Sequence, residues 1–317
     1  MLGGGCDLVI RRKAFSQTTN KGVKMSKKDV RITPRALDSA EGCIDLLRNW
    51  QSFVCWEARD KIKDSGVTPT ILDFVDSIIK LYNDDSLSLA RIGDGEFGLV
   101  TGVTVPNNGC QVADASLQEA LLRVLRCDNP KCRVAIPKAF FYDDPSCVSD
   151  EIARFVPDCF FPRLDAGDYM KYVLPDYTYL DGSMSVVCKH YPTVGRLVHL
   201  AYYYLLKRML TDRDVIVVTG DLRFEEYEHS LLDDAGTRSV SLLSLKQKNV
   251  WEDYANIKQR LLDINRSGSR LVLLGCGPTA TVLAYELADK MRCLDVGHVF
   301  GDYNLALGGA GIGAFWA

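Results

Sequence analysis

Apolar residues recur along the chain first at helical and then at alternating spacing, and the change of period marks out its elements. Leu37, Ile44, Leu47, Phe53, Val54 and Trp56 fit helical segments between Ala36 and Lys63, closed by Ser65-Gly66. Ile71, Leu72, Val75, Ile78, Ile79 and Leu81 give Pro69 to Tyr82 a broad apolar face, with Thr68 placed to cap it. Ser86 to Ile92 then reads as a strand on the apolar residues Leu87, Leu89 and Ile92. Helix and strand patterns alternate from there. The helices are Leu117 to Leu125, Val194 to Met209, Glu225 to Leu232, Trp251 to Asn265 and Thr279 to Met291. The strands are Arg133 to Ile136, Asp214 to Thr219, Val240 to Leu243, Arg270 to Leu274 and Arg292 to Val296. This alternation predicts an α/β fold, a mostly parallel sheet with helices on both faces. Phe140 to Tyr191 is dense in aromatic residues and Pro and takes no assignment. The expected organisation is a flexible tail over 1–28, a helical extension over 29–66 and one domain over 67–317.

Composition narrows the class without fixing the chemistry. The 317 residues carry 38 basic and 41 acidic side chains, and 47% are hydrophobic, which excludes collagen-like, disordered and coiled-coil chains. A net charge of −3 gives no basic excess for phosphate backbones, so nucleic acid is not an expected partner. No apolar run is long enough for a transmembrane helix. The 11 cysteines include no Cys-x-x-Cys pair and read as buried thiols of a reducing compartment, here the cytoplasm.

Ligands of parallel sheets gather at the carboxyl ends of strands, and two strand ends stand out there. The first is Arg91-Ile92-Gly93-Asp94-Gly95-Glu96, two carboxylates separated by one Gly on a turn. They can converge on a hard divalent cation, or they can simply be a solvated acidic turn. The second is Leu271 to Leu274 followed by Gly275-Cys276-Gly277-Pro278-Thr279-Ala280-Thr281, a buried strand, a Gly-rich turn and a helix start. Backbone N–H groups at such a helix start point at an anion, with Thr279 and Thr281 as added donors. Read as Gly-x-Gly-x-x-Ala with Asp295 twenty residues after Gly275, it also imitates a dinucleotide-binding fingerprint. That fingerprint belongs to the first strand of a nucleotide-binding unit, whereas this strand comes late. A tight turn that only packs a helix on a strand is the third reading.

Ser88 to Phe97, then Gly109-Cys110-Gln111 with Asp114 and Leu117, then Gly277 to Leu287, and then Leu294-Asp295-Val296-Gly297-His298 together resemble the GT-D fold glycosyltransferases, a bacterial family formerly of unknown function. The resemblance runs from about Ser86 to Tyr303, and four motifs in one order are far more specific than any one of them. It implies a Rossmann-like GT-D fold and transfer of a sugar from a nucleotide-sugar donor, typically UDP-glucose, to a hydroxyl of a glycan or glycoconjugate acceptor. It implies Mn²⁺ or Mg²⁺ held by Asp94 and Glu96, with His298 completing the metal shell or serving only as a structural His. Donor contacts fall to Arg91, Gly93, Gly95, Gly277, Pro278, Thr279 and Thr281.

The departures from the pattern are instructive. The family's acidic and aromatic stretch after Gly-His is here Phe300-Gly301-Asp302-Tyr303-Asn304-Leu305, which leaves Asp302 beside His298 as the candidate catalytic residue, a base for the acceptor hydroxyl. Gly220 and Arg223 survive from another turn, and Lys189 replaces an Arg-bearing segment, so Arg223 and Lys189 are candidate diphosphate contacts. Two alternatives follow: a catalytically silent family member that only binds a nucleotide sugar, and a dinucleotide- or S-adenosylmethionine-dependent enzyme using the Gly275 turn and Asp295. The apolar N-terminal helices offer either a homodimer surface or a cover for the sheet.

Overall fold

The computed structural model describes residues 8–9, 31–32, 37–48, 70–102, 111–137, 172–190, 196–220 and 225–309. Its centre is one sheet of eight strands: β1 Thr70–Ile71, β2 Ser88–Arg91, β3 Cys132–Ile136, β4 Thr178–Asp181, β5 Asp214–Thr219, β6 Ser239–Ser244, β7 Leu271–Gly275 and β8 Cys293–Asp295. The spatial order is β1-β4-β3-β2-β8-β7-β5-β6, and every neighbouring pair is parallel. Strands of this kind are buried on both faces and so run apolar without alternation. In β5, Val215 and Val217 join one core layer while Ile216 and Val218 join the other, all four at 0% exposure.

Helices cover both faces, as the alternation of periods predicts. α1 Phe74–Asn83, α4 Arg196–Leu210, α5 Leu231–Ala235 and α8 Val299–Leu307 pack on one layer together with Cys43, Leu46 and Leu47 of a helix at 40–48. α2 Asp94–Thr101, α3 Ala115–Val124, α6 Tyr254–Ile264 and α7 Pro278–Leu287 pack on the other. The chain leaves β2 toward β3 and β4, later runs out to β6 on the far side and returns through β7 to β8. The strand order therefore reverses around β2 and β8, and a crevice at their carboxyl ends is the expected place for a ligand.

Several elements differ from the sequence pattern. Thr70–Ile71 pairs with Thr178–Tyr179 as an edge strand, so the helix expected from Pro69 starts only at Phe74. Its cap is Asp73, whose side chain accepts the Asp76 N–H at 3.0 Å; Thr68 lies outside the described residues. The helix expected from Glu225 begins at Leu231, capped by Ser230. The helix at Trp251 opens as a 3₁₀ turn, Val250–Asp253. Within the expected tail, Leu8–Val9 pairs antiparallel with Arg31–Ile32. The aromatic-rich stretch supplies β4, with Tyr179 and Leu180 fully buried; its residues 140–171 and 191 lie outside the described residues.

Candidate functional site

The Asp-x-Glu pair sits on the first turn of α2 rather than on a free turn, and this decides how its carboxylates point. Gly93 is the N-cap, and Glu96 Oε2 accepts the Gly93 N–H at 2.7 Å. Glu96 thus closes its own helix end, a favourable place for an anion because unpaired N–H groups and the helix dipole meet there. It is 6% exposed, and burial pushes its carboxyl up to about 7; the Arg91 charge pulls the other way and Asp295 adds to the rise. Asp94, two residues earlier in the same first turn, is only partly buried.

Arg91 links the ends of β2 and β8. Its backbone N–H donates to Asp295 Oδ2 at 3.3 Å. Its Nη1 lies 3.3 Å from where a Cβ on Gly93 would stand, and its Nη2 lies 2.7 Å from the same point on Gly297, a residue at φ +48°. The two glycines therefore make room for one guanidinium between two buried acids, Glu96 and Asp295. Burial raises the Asp295 carboxyl, against the charge of Arg91 and a hydrogen bond from Thr281. His298 follows Gly297 as the exposed N-cap of α8.

Across β8 from β2, β7 delivers the second motif. Gly277, exposed and at φ +63°, is the N-cap of α7, with no side-chain cap, no acid in the first turn and open space where a Cβ would stand. Pro278 takes the first helical position, where its missing donor costs nothing. This helix end is open to an anion, whereas the start of α2 is already occupied by its own acids.

The two threonines part company. Thr279 Oγ1 is buried and makes no hydrogen bond. Thr281 Oγ1 is 2.8 Å from the Arg91 carbonyl and 3.0 Å from Asp295 Oδ2, which corrects the expectation that it contacts the donor: it holds α7 against β2 and β8.

Asp302 is the larger correction. It is 0% exposed on α8, and its Oδ2 accepts the Cys188 N–H at 2.9 Å and the Tyr203 hydroxyl at 2.6 Å. A base must reach an acceptor in solvent, and this carboxylate is turned into the core instead. Lys189 lies on the short helix Val187–His190 beyond that network, and Arg223 lies outside the described residues. Sequence reasoning missed Ser183 and Ser185, whose hydroxyls are buried at this edge without a hydrogen bond. They fall in a stretch without periodicity, and no motif flags them.

No three acidic, His or Cys side chains converge as a metal cage among the described residues. Asp94 and Glu96 supply carboxylate oxygens, the donor type that a hard divalent cation takes. The six cysteines described form no disulfide, and burial pushes the Cys43 and Cys127 thiols up to about 12, the pattern of inert core residues. No helix of the described residues is long and apolar enough to cross a membrane.

Comparison with known proteins adds the following. A family model described as "Glycosyltransferase GT-D fold" matches residues 89–311, more than two thirds of the chain. "Probable glycosyl transferase Gly" of Streptococcus gordonii is 25% identical over 243 residues, covering 73% of this chain and 32% of that protein. "Glycosyltransferase GlyD" of Streptococcus pneumoniae serotype 4 is 24% identical over 270 residues, 84% of this chain and 31% of that protein. The chain thus spans about a third of the length of the curated relatives it matches. Among solved structures, "A New Glycosyltransferase (DUF1792) from Streptococcus sanguinis" superposes with a TM-score of 0.61 at 26% identity, over 74% of this chain and 83% of that one. A second, "The highly conserved domain of unknown function 1792 has a distinct glycosyltransferase fold", gives 0.60 at 23% identity over 77% and 83%, a likeness of fold.

Proposed function

The chain belongs to the GT-D-fold glycosyltransferases, and from that premise we propose that it transfers a sugar, glucose from UDP-glucose in the first instance, to a hydroxyl of a glycan or glycoconjugate. The observation that carries the reading is the pair of helix starts flanking β8: α7 open and free of acids, α2 bearing Asp94 and Glu96. The bond from the sugar to the diphosphate breaks as the acceptor oxygen attacks, and negative charge grows on the leaving group. The α7 N–H groups, with the Thr279 hydroxyl, meet that charge with fixed dipoles that need no reorganisation. Asp94 and Glu96 would hold Mn²⁺ or Mg²⁺, which supplies further charge neutralisation at the diphosphate when bound. Arg91 balances Glu96 and Asp295, so that the two acids stay close without a cation. Six cysteines without a disulfide among the described residues support a cytoplasmic setting.

The test is donor consumption, read by mass spectrometry across a panel of sugar nucleotides with Mn²⁺. EDTA and Glu96→Ala should each abolish it; consumption that ignores both removes the metal role, and consumption of no donor removes the function. One observation favours a second reading, a family member that binds the donor without turnover: the core position of Asp302 leaves the expected base out of reach of an acceptor. Tight UDP binding with no transfer to any acceptor would establish it. The dinucleotide reading loses its acid, because Asp295 is 3% exposed and engaged by Thr281 and the Arg91 N–H.

A further inference from the structure

A strand at the edge of a sheet leaves half of its backbone N–H and C=O groups outside the ladder, and folds guard such edges with charges, Pro, bulges or a covering element. β6 is the edge beyond β5. Its six residues, Ser239-Val240-Ser241-Leu242-Leu243-Ser244, contain no charge and no Pro and pair with β5 without a bulge. The N–H groups of Ser239 and Leu245 reach the Arg213 and Thr219 carbonyls at 3.5 and 3.0 Å. A parallel ladder alternates, so Ser241 and Leu243 also bond β5, whereas Val240, Leu242 and Ser244 turn their N–H and C=O groups outward. Val240 and Leu242 are also exposed apolar side chains, at 44% and 41%, on the face of the strand opposite to buried Leu243. Main chain and side chain of the same two residues are thus left unmatched among the described residues.

The pattern of the strand decides what fits it. Val240 and Leu242 stand symmetrically about Ser241, so the segment reads alike in both directions. An antiparallel second β6, related by a two-fold axis through Ser241, sets Val240 opposite the second copy's Leu242 and Leu242 opposite its Val240. Each of these pairs exchanges both of its N–H···O bonds, because these residues carry the outward groups, and the four apolar side chains meet on one face. Charge agrees with this register. The chain leaving Ser244 bears the exposed Lys248, which is carried toward Asp233 and Asp234 of the second copy, both exposed on α5 ahead of its β6. Arg238 at that end is already held by Asp214, at 3.7 Å, and by the Asp212 carbonyl. We propose that the protein pairs with a second copy of itself through β6, joining two eight-stranded sheets into one. Such a two-fold contact is closed and stops at the dimer. It sends the carboxyl ends of the two sets of strands, and with them the two candidate sites, in opposite directions.

Sedimentation of the full chain at concentrations up to about 100 μM reads the association. The wild type is expected to pass from monomer to dimer, and Leu242→Lys, which puts a charge at an exposed position of the edge, to stay monomeric with an unchanged melting curve. Oxidation of cysteine variants reads the register. Ser241→Cys should give a disulfide-linked dimer, since the two copies of residue 241 face each other with Cα atoms about 4.5 Å apart. Leu242→Cys, about 7–8 Å from its own copy on the diagonal, should link no more than the wild type. A wild type that stays monomeric, a dimer that survives Leu242→Lys, or Leu242→Cys linking faster than Ser241→Cys overturns the proposal. Hydrogen exchange on the wild type alone guards against a variant that does not fold: the Val240 and Leu242 amides should be protected at high concentration and lose that protection on dilution. Exchange that is fast at every concentration overturns the pairing, and protection that ignores concentration does so too, by assigning the edge to another segment of the same chain.

Discussion

Arg91 and Gly297 occupy complementary space: the guanidinium of the first stands 2.7 Å from where a side chain on the second would begin. The glycine of the Gly-His pair is therefore required by an arginine on the neighbouring strand, and the pair of motifs reads as one unit.

Gly297→Ala tests this. The φ of +48° costs a side chain about 1 kcal/mol, and the clashing atom is the mobile end of Arg91, which can swing away. The expected outcome is a melting temperature lowered by a few degrees with donor consumption reduced more than about tenfold. Equal activity of the folded variant would show that the position of Arg91 does not matter.

The threonines of α7 should separate stability from binding. Thr281→Val leaves the Arg91 carbonyl and Asp295 short of a donor in the core, an expected loss of about 1–3 kcal/mol in urea unfolding. Thr279→Val removes a hydroxyl that bonds nothing, so stability should hold or rise while UDP binding weakens several-fold. The reverse pattern would exchange the two roles.

Asp302→Asn keeps an oxygen for the Cys188 N–H and the Tyr203 hydroxyl. Turnover per folded molecule should stay within a few-fold of wild type, whereas removal of a true base costs roughly a hundredfold or more. A loss of that size with an unchanged melting curve would restore Asp302 as the base.

Glu286 ties α7 to α6: Lys258 Nζ is 2.6 Å from its Oε2, and Tyr254 donates to the same oxygen. Burial pushes this carboxyl up, but the hydrogen bonds from Lys258 and Tyr254 outweigh it and the group ends below its ordinary value. A depressed carboxyl contributes stability above its unfolded pKa of 4.5, and that contribution is lost as pH falls through the folded value. Glu286→Gln should therefore cost about 1 kcal/mol at pH 7 and progressively less as pH falls below 4.5, measured by urea unfolding. A cost independent of pH would mean that shape, and not charge, holds the two helices.

Much of the architecture is legible in local pattern. Strand Asp214–Thr219 appears as expected, and β3, β7 and β8 fall within a residue of their predicted bounds, because a strand buried on both faces must be written as a short apolar run; the edge strand β6, exposed at Val240 and Leu242, is legible from its apolar residues alone. Two strands were hidden because they carry no such run. Thr70–Ile71 is two residues long and merges with the apolar stripe of α1, and Thr178–Asp181 lies among aromatics with no period. Where charge and spacing pointed to chemistry, at Asp94, Glu96 and the Gly277 turn, the fold brings the pieces to the same edge.

The sequence by itself determined the class of fold, the order of its elements and the two strand ends that carry the acidic and Gly-rich motifs, since each follows from neighbours along the chain. Only the tertiary structure decided that β8 stands between those ends, that the Thr281 hydroxyl bonds Arg91 and Asp295 while that of Thr279 bonds nothing, that Asp302 turns inward, and that Ser185 meets Arg91 over Gly297. These depend on which side of a helix meets the sheet and on contacts between residues as much as 204 positions apart, as for Arg91 and Asp295. Packing fixes such contacts, and no local spacing carries them.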